Sequence, residues 1–503
     1  MRFAAARISR VLRYRRQQLE ADLREVLRFV DDHDVEPIRV TLRADVISSQ
    51  PEDVVEVVRD GAGLGTTAPP ASLQVVSKRR QGGSASAQVR APTTLSLFTG
   101  AGGLDLGLEA AGFVVAGCVE VDPDCRRTLA RNSSWPVIEG GDLTARRPAD
   151  VLDELGLAAG ELTMVSAGPP CQPFSKASQW RSGQAQGMAH RFASTLHSLV
   201  EVIDSSLPEV VLIENVTGFL RSGSGNGISG LDVLTAGLER VNIKHDVAYA
   251  PAVFTFDAAD YGVPQHRRRV FVVASRRGGA FELPAATHGR ALAETGGARF
   301  STTWDAIGDL ADGDEGLAAT GAWAELLPSI PEGQNYQFHT TRGDGEPLFG
   351  WRTRYWSFLL KLAKNRPAWT IQASPGSATG PFHWSNRRLS VRELARLQTF
   401  PDAWELAGGA TAGRRQIGNA VPVAVGELLG SAIRRQLLGH PTDMAPLTGI
   451  PKHRSDCPAP EAPAVVPERY LDQRGTHPEH PGRGLGPGAT RRLEAAAKAR
   501  VDA

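Results

Sequence analysis

From Thr93 onward the chain repeats one device: a short apolar run that stops at glycine, an acid or proline, followed by a helical stretch. The runs are TTLSLFTG (93–100), FVVAGCVEV (113–121), LTMVSAG (162–168), EVVLIEN (209–215) and RVFVVAS (269–275). Between them, PDCRRTLARN (123–132) and FASTLHSLVEVIDSS (192–206) carry helical spacing. Strands that alternate with helices build an α/β fold, a parallel sheet with helices on both faces. In such a fold ligands bind at the carboxyl ends of the strands. The chemistry of the chain is therefore sought where the runs end.

The first run leads into Phe98-Thr-Gly-Ala-Gly-Gly-Leu-Asp105. Glycines at a strand-to-helix turn let a ligand approach the backbone, although the same turn also serves plain packing. The second run ends at Glu120-Val-Asp122, and a later segment carries Gly141-Asp142. An acid at the end of the second strand is placed to accept bonds from ribose hydroxyls, while Asp122 before Pro123 also has the makings of a helix cap. The turn lacks a full GxGxxG, which favours a nucleoside ligand other than a nicotinamide cofactor.

The third run stops at Pro169-Pro170, and Cys171 follows. A lone cysteine is ordinarily a small buried hydrophobe, but Pro-Pro-Cys-Gln-Pro is a poor core sequence and the prolines stiffen its loop. Cys171 therefore reads as a nucleophile, which needs a thiolate in a positive or polar setting. Glu214, at the end of the fourth run, suits a proton donor or a hydrogen-bond partner to a bound base, or equally a helix cap. Gln265-His-Arg-Arg-Arg269 opens the last run. Alternation puts Gln265, Arg267 and Arg269 on one face, where two arginines suit phosphate or polarised carbonyl groups. An exposed polar strand start reads as well from these residues alone.

A chain of 503 residues has room for two or three domains, and 41% hydrophobic with 22% charged residues is ordinary for a globular protein. The net charge of +1 gives no global case for nucleic acid, so such a partner has to be held by local patches. Lys78-Arg79-Arg80, Arg267–Arg269 and Arg387-Arg388 with Arg392 and Arg396 are the candidates, each by itself a solvated face. Cys118, Cys125, Cys171 and Cys457 show neither disulfide nor metal-ligand spacing, so no metal and a reducing, intracellular setting are expected. No apolar run approaches the roughly 20 residues of a membrane span. Residues 1–60 read as a separate unit with one amphipathic helix and a strand, and 61–92 as a linker. Residues 93–280 read as the α/β domain expected to carry the chemistry, 281–385 as an irregular region, 386–440 as the return of that domain, and 441–503 as a largely disordered tail with a short helix at 490–500.

Taken together, the motifs resemble the cytosine-5 DNA methyltransferases. LSLFTGAGGLDLGLEAAGF, VEVDPDC, GDLT, GPPCQPFS, IENV, QHRRR, ARLQTFPD and QIGNAVPV are similar to that family's motifs and stand in its order, over about 93–275 and 385–435. The resemblance implies a Rossmann-like S-adenosylmethionine-dependent sheet, with region 281–385 as a smaller target-recognition domain. It implies double-stranded DNA as substrate and S-adenosyl-L-methionine as cofactor. Cys171 would attack cytosine C6 and Glu214 would hold or protonate N3. Arg267 would support Glu214 and the base, with Arg269 nearby. The cofactor would lie on Phe98, Gly100, Gly102 and Gly103, with Glu120 on its ribose and Asp142 on its adenine. Val121, Leu143, Pro170, Asn419 and Val421 would complete that pocket. A stacked cytosine is out of a thiolate's reach, so the base must be flipped. The loop Phe174–Gly187 could close over it but lacks the family's Gly-Lys-Gln, which leaves the residue that fills the gap unassigned. The layout is that of a bacterial, cytoplasmic modification enzyme, a monomer on DNA beside a restriction or defence protein. The alternatives are a tRNA-cytosine methyltransferase and a silent DNA-binding regulator. The second has no chemical need for Cys171, Glu214, Arg267 and Asn419 together.

Overall fold

The structure is a computed structural model that describes residues 91–171, 194–221, 228–310, 316–351, 354–440, 446–472 and 474. The expected N-terminal unit, all but the end of the linker, the loop Phe174–Gly187 and the helix at 490–500 lie outside the described residues.

Six strands build the sheet: β1 (Thr93–Leu97), β2 (Val114–Val119), β3 (Met164–Ala167), β4 (Val210–Asn215), β5 (Ala250–Asp257) and β6 (Arg268–Ser275). Their order is β2-β1-β3-β4-β6-β5. β1 pairs in parallel with β2 and β3, and β3 with β4. β6 runs antiparallel to both β4 and β5, so the expected parallel sheet is in fact mixed. The reason lies in the connections. A long helical segment carries the chain from β4 across to β5, while the link from β5 to β6 is too short for a crossover and turns the chain back. β5 has no counterpart among the expected runs. It is an edge strand in which Phe256 alone is fully buried. The reversal has a functional consequence, because the first residues of β6 now lie at the carboxyl edge of the other strands. Arg268 stands opposite Asp257 and Val270 opposite Asn215.

Helices α1 (Gly103–Ala110), α2 (Pro123–Asn132), α3 (Pro148–Leu155), α4 (Ser194–Ser206) and α5 (Gly230–His245) follow the strands. Asp122 caps α2, accepting from the backbone N–H groups of Asp124 and Cys125 at 2.8 and 3.3 Å, ahead of Pro123 in the first turn. Helices α3, α4 and α5 cover one face, where Val151, Leu199, Val202 and Leu238 meet Leu97, Val165, Val211 and Val272. Further along come α6 (Arg290–Glu294), α7 (Thr303–Ile307), α8 (Val391–Leu397), α9 (Gly409–Asn419) and α10 (Val423–Gln436). Helix α10 returns to the other face beside α1, where Leu428, Leu429 and Ile433 pack with Leu108 against Met164, Leu212 and Phe271. Each such side chain stabilises the fold by ~1.5–3 kcal/mol through removal from water.

The region 281–385 contributes no strand to this sheet, yet it is not a separate body. Arg90–Ala503 forms one compact unit. Ala306, Ile307, Leu362, Ala368 and Ile371 share a core with Ala101 and with Leu394, Leu397 and Ile417 of α8 and α9. The expected boundary at 385 is thus crossed by packing. A second core mixes rings with aliphatic side chains, with Tyr336, Phe349, Phe358 and Phe382 around Leu326, Leu327 and Ile330. It is closed by Tyr470 from a last helix, α11 (Glu468–Leu471). Tyr470 is 2% exposed and lies against Trp323 with ring centroids 5.6 Å apart. This corrects the expectation of a disordered tail for 446–472. The segment is strapped down by Thr448 donating to Glu427, Arg454 N–H donating to Asp305 at 2.8 Å and Ala464 N–H donating to the Pro328 carbonyl at 3.0 Å. Its proline-rich composition signalled disorder, but an extended strap anchored by single residues needs no apolar period.

Candidate active site

Cys171 stands four residues past β3, on a loop pinned from two sides. Gly168 N–H donates to the Leu97 carbonyl at 3.2 Å, and Asn215 Nδ2 donates to the Pro169 carbonyl at 3.2 Å. Asn215 was not among the expected site residues. Its position beside Glu214 at the end of β4 was the available signal. Glu214 is 8% exposed, and its Oε2 lies 3.9 Å from where a side chain on Gly168 would begin. The acid and the cysteine loop therefore share one cleft.

The arginines exchange the expected parts. Arg269 Nε pairs with Glu214 Oε1 at 2.9 Å, so Arg269, not Arg267, holds the acid. Arg267 is 1% exposed and turns inward, its Nη2 donating to the carbonyls of Gly418 and Ala420 at 3.0 and 2.8 Å. Its backbone N–H donates to Asp257 Oδ1 at 2.8 Å. Burial, and next the like charge of Arg269, lower its pKa to about 9. Arg267 thus ties the sheet edge to the segment after α9. Alternation correctly placed both arginines on one face. It could not tell which of them reaches the acid.

Electrostatics at Cys171 oppose early ionisation. Burial, and after it the Glu214 carboxylate, raise the thiol above its ordinary value, and Arg269 and Arg267 pull it back in part. The setting is positive on one side and negative on the other, and burial tips it toward the protonated thiol.

The neighbouring strand ends form a second subsite. Phe98 adopts a left-handed backbone at φ 59°, a strained conformation for a bulky residue and one that clusters at functional sites. Gly100 follows at φ 60°, with open space where a side chain would stand. Its N–H donates to Glu120 Oε2 at 2.6 Å, and Asp122 N–H donates to Glu120 Oε1 at 2.7 Å. Burial pushes the Glu120 carboxyl upward and these bonds pull it back. Gly103 lies so close to the segment after α9 that a side chain would begin 2.2 Å from the Val421 carbonyl. Gly102 carries no side chain where Leu129, Trp135 and Trp404 converge, and Trp404 Nε1 donates to the Ala101 carbonyl at 3.0 Å. Asp142 is exposed and accepts from Thr144 N–H at 2.9 Å. Val121 is 64% exposed, Pro170 is half-buried and Asn419 is exposed at the end of α9.

Leu143 and Val421 depart from the expected role. Both are buried, Leu143 in the aliphatic core under α3 and Val421 in the core under α10, so their side chains support the edge from behind. Gln265 and Gln398 were missed in the opposite sense. Gln265 Oε1 accepts from Ile371 N–H at 3.0 Å, and Gln398 Nε2 donates to the Ile417 carbonyl at 2.8 Å. These buried amides join the motif segments to one another.

The subsite fits a nucleoside. A carboxylate oxygen can accept more than one bond, so Glu120 has capacity left for ribose hydroxyls. Exposed Val121 offers an apolar face to a base, and the Gly100 turn leaves room beside the backbone. A strand-end subsite with room for a nucleoside, next to a cysteine and an ion-paired acid, is the arrangement that a cofactor-dependent transferase with a nucleophilic thiol needs. The sequence model of the C-5 cytosine-specific DNA methylases matches residues 93–435, and the chain belongs to that family. It is 38% identical over 372 residues to the type II methyltransferase M.SacI of Streptomyces achromogenes, covering 68% of this chain and 93% of that one. The type II methyltransferase M.AquIA of a Picosynechococcus strain is 37% identical over 197 residues, covering 39% and 76%. M.NgoFVII of Neisseria gonorrhoeae is 29% identical over 337 residues, covering 66% and 83%. The protein is a DNA cytosine-5 methyltransferase that uses S-adenosylmethionine.

Proposed function

We propose that the enzyme methylates cytosine in double-stranded DNA through a covalent Cys171 adduct, as the modification arm of a bacterial restriction–modification pair. The observation that carries this reading is the placement of Cys171 in one cleft with the Glu214–Arg269 ion pair. When bound, the cofactor supplies an electrophilic methyl group. Phe98, Gly100 and Gly103 would hold it against the ends of β1 and β2, with Glu120 on the ribose and Asp142 and Val121 toward the adenine.

Cytosine C5 is a weak nucleophile until the ring is activated. As the Cys171 sulfur adds to C6 its proton passes to the Glu214 carboxylate, and electron density moves from the new enamine onto C5. Glu214, held by Arg269, binds N3 and donates a proton or hydrogen bond there, which stabilises the charge that develops on the ring. Arg267, from behind, fixes the Gly418–Ala420 segment. After C5 is methylated, loss of its proton re-forms the C5–C6 double bond and expels the Cys171 thiolate. The cytosine must leave the helix to reach this cleft, at a cost of a few kcal/mol. The enzyme acts on DNA as a monomer.

The test is transfer of labelled methyl to duplex DNA and to total tRNA in parallel, with the parent and Cys171→Ser. Label in DNA as 5-methylcytosine, absent with the variant, is the expected result. Label in tRNA alone would move the substrate to RNA.

A further inference from the structure

Four aromatic rings form a row that begins beside the catalytic edge. Trp356 is 54% exposed and Trp369 38%, and their rings meet edge-on at 5.6 Å. Trp369 lies 5.9 Å from the His266 ring, which meets Phe300 at 5.6 Å. The row is bolted to the motif strand, because His266 N–H donates to the Ala368 carbonyl at 2.8 Å and Thr370 Oγ1 donates to the His266 carbonyl at 2.7 Å. His266 stands three residues before Arg269, about 10 Å of extended chain.

At one end of the row His266 and Phe300 enter the wall of a groove of about 550 Å³, which Arg290, Asn365, Arg366 and Pro367 also line, while Trp369 and Trp356 lead out of it. A third arginine on its wall, Arg299, is neutralised by Asp305 through two bonds of 2.9 and 3.0 Å. Arg290 and Arg366 have no carboxylate partner among the described residues, and Glu294 is the one acid on the groove. Large rings left in water mark an interaction surface. Cations without counter-charges beside them mark an anionic partner.

We propose that this surface, the groove together with the rings that lead out of it, binds an unstacked nucleotide of the DNA substrate. Its base would stack on Trp369 with its edge against Trp356, whose ring stands at 79° to the first, and the flanking phosphates would lie on Arg290 and Arg366. The inference rests on the DNA methyltransferase reading and adds a strand-holding site to it. An acidic peptide would use the arginines but not the rings. A paired duplex shows phosphates and groove edges, whereas the faces of bases become available only where stacking is broken.

The experiment measures binding of a short labelled oligothymidine and of a labelled paired duplex to the full chain. Trp356→Ala/Trp369→Ala and Arg290→Ala/Arg366→Ala are compared with the parent, and cofactor binding reports the fold. The tryptophan pair is expected to weaken oligothymidine binding by about tenfold and to leave duplex binding within about twofold. Phenylalanine at both positions restores most of it. The arginine pair is expected to lower the salt-dependence slope for the single strand by about 1.4, two phosphates at ~0.7 each. Equal losses on single strand and duplex, no loss with the tryptophan pair, or an unchanged slope would overturn the proposal. Methyl transfer to bulk bacterial DNA is measured alongside. Its absence in the parent would strike the enzymatic reading, which the oligothymidine result leaves aside.

Discussion

The sheet half buries aliphatic side chains in two layers, Leu97, Val165 and Val211 on one face and Leu108, Leu212 and Leu428 on the other. Region 281–385 has a core in which rings meet, with Phe358 edge-on to Trp323, Tyr336 and Phe349 at 5.6 to 5.9 Å, and no strand of the sheet among its described residues. A layered core shares its stability among many equivalent contacts. Its rim residues are then free to carry chemistry at little cost to the fold. A ring cluster without a sheet depends on a few large side chains, one of them delivered by the tail. Damage to the two halves should therefore look different.

Cys171→Ser gives the largest effect and the cleanest test of that contrast. Cys171 is half-buried and belongs to none of the aliphatic clusters. Activity should fall at least ~1000-fold, with a melting temperature equal to the parent's. A fall in melting temperature would show that the rim of the sheet is not energetically independent of its core.

Tyr470→Ala attacks the other half. Loss of a fully buried ring costs ~3–5 kcal/mol, and here the hydrogen bond from Tyr470 Oη to the Ala322 carbonyl, at 2.8 Å, goes with it. Calorimetry should show an early transition for region 281–385, and cofactor binding should survive; if that region grips DNA as proposed, DNA affinity should drop with it. A single transition that also removes cofactor binding would mean that the core shared by Ile371 and Ile417 couples the halves into one unit.

The sheet half also buries a carboxyl in its core. Asp105 is fully buried in α1 with no hydrogen-bond partner to either carboxyl oxygen among the described residues. Burial raises its pKa to about 7, and the nearby Ser96 hydroxyl, outside hydrogen-bond geometry, draws it back. A carboxyl that holds its proton more tightly when folded favours the folded state at acid pH. That advantage is lost as pH rises from about 4 through about 7. Asp105→Asn should flatten this slope and raise stability at pH 8 by ~1–3 kcal/mol. Denaturant midpoints measured across that range decide it, and an unchanged slope would mean that Asp105 is ionised in a polar setting.

How much of this could be read beforehand follows the same division. The glycine turn, Glu120, Cys171 and Glu214 were visible because each ends an apolar run, and a run is a signal that survives without tertiary information. β5 was invisible because APAVFTFD is an edge strand with few buried positions. The reversal of β6 depends on a short connection and on insertion between β4 and β5, neither of which leaves a periodic trace. The ring-bearing core of region 281–385 is scattered over positions 323, 336, 349, 358 and 470, and no spacing links Tyr470 to Trp323. In the site itself, residue types were legible and pairings were not. Which arginine meets Glu214 is decided by the Gly418 and Ala420 carbonyls, which capture Arg267.

That last pairing can be tested at the thiol, where the expected effect is smallest. Glu214 raises the Cys171 thiol, and Arg269 pulls it down. Glu214→Gln removes the repulsion, so alkylation of Cys171 by iodoacetamide should set in at lower pH, roughly fivefold faster at pH 8, about 1 kcal/mol. Arg269→Ala removes the attraction and leaves Glu214 unpaired, so the profile should move to higher pH. Arg267→Lys tests the division of labour between the arginines. If Arg267 acts by tying down the 418–420 segment, the profile moves little while cofactor affinity falls. If Arg267→Lys moves the profile as far as Arg269→Ala does, the buried arginine and not the ion-paired one sets the charge at the nucleophile, and the assignment of Arg269 as the partner of Glu214 fails.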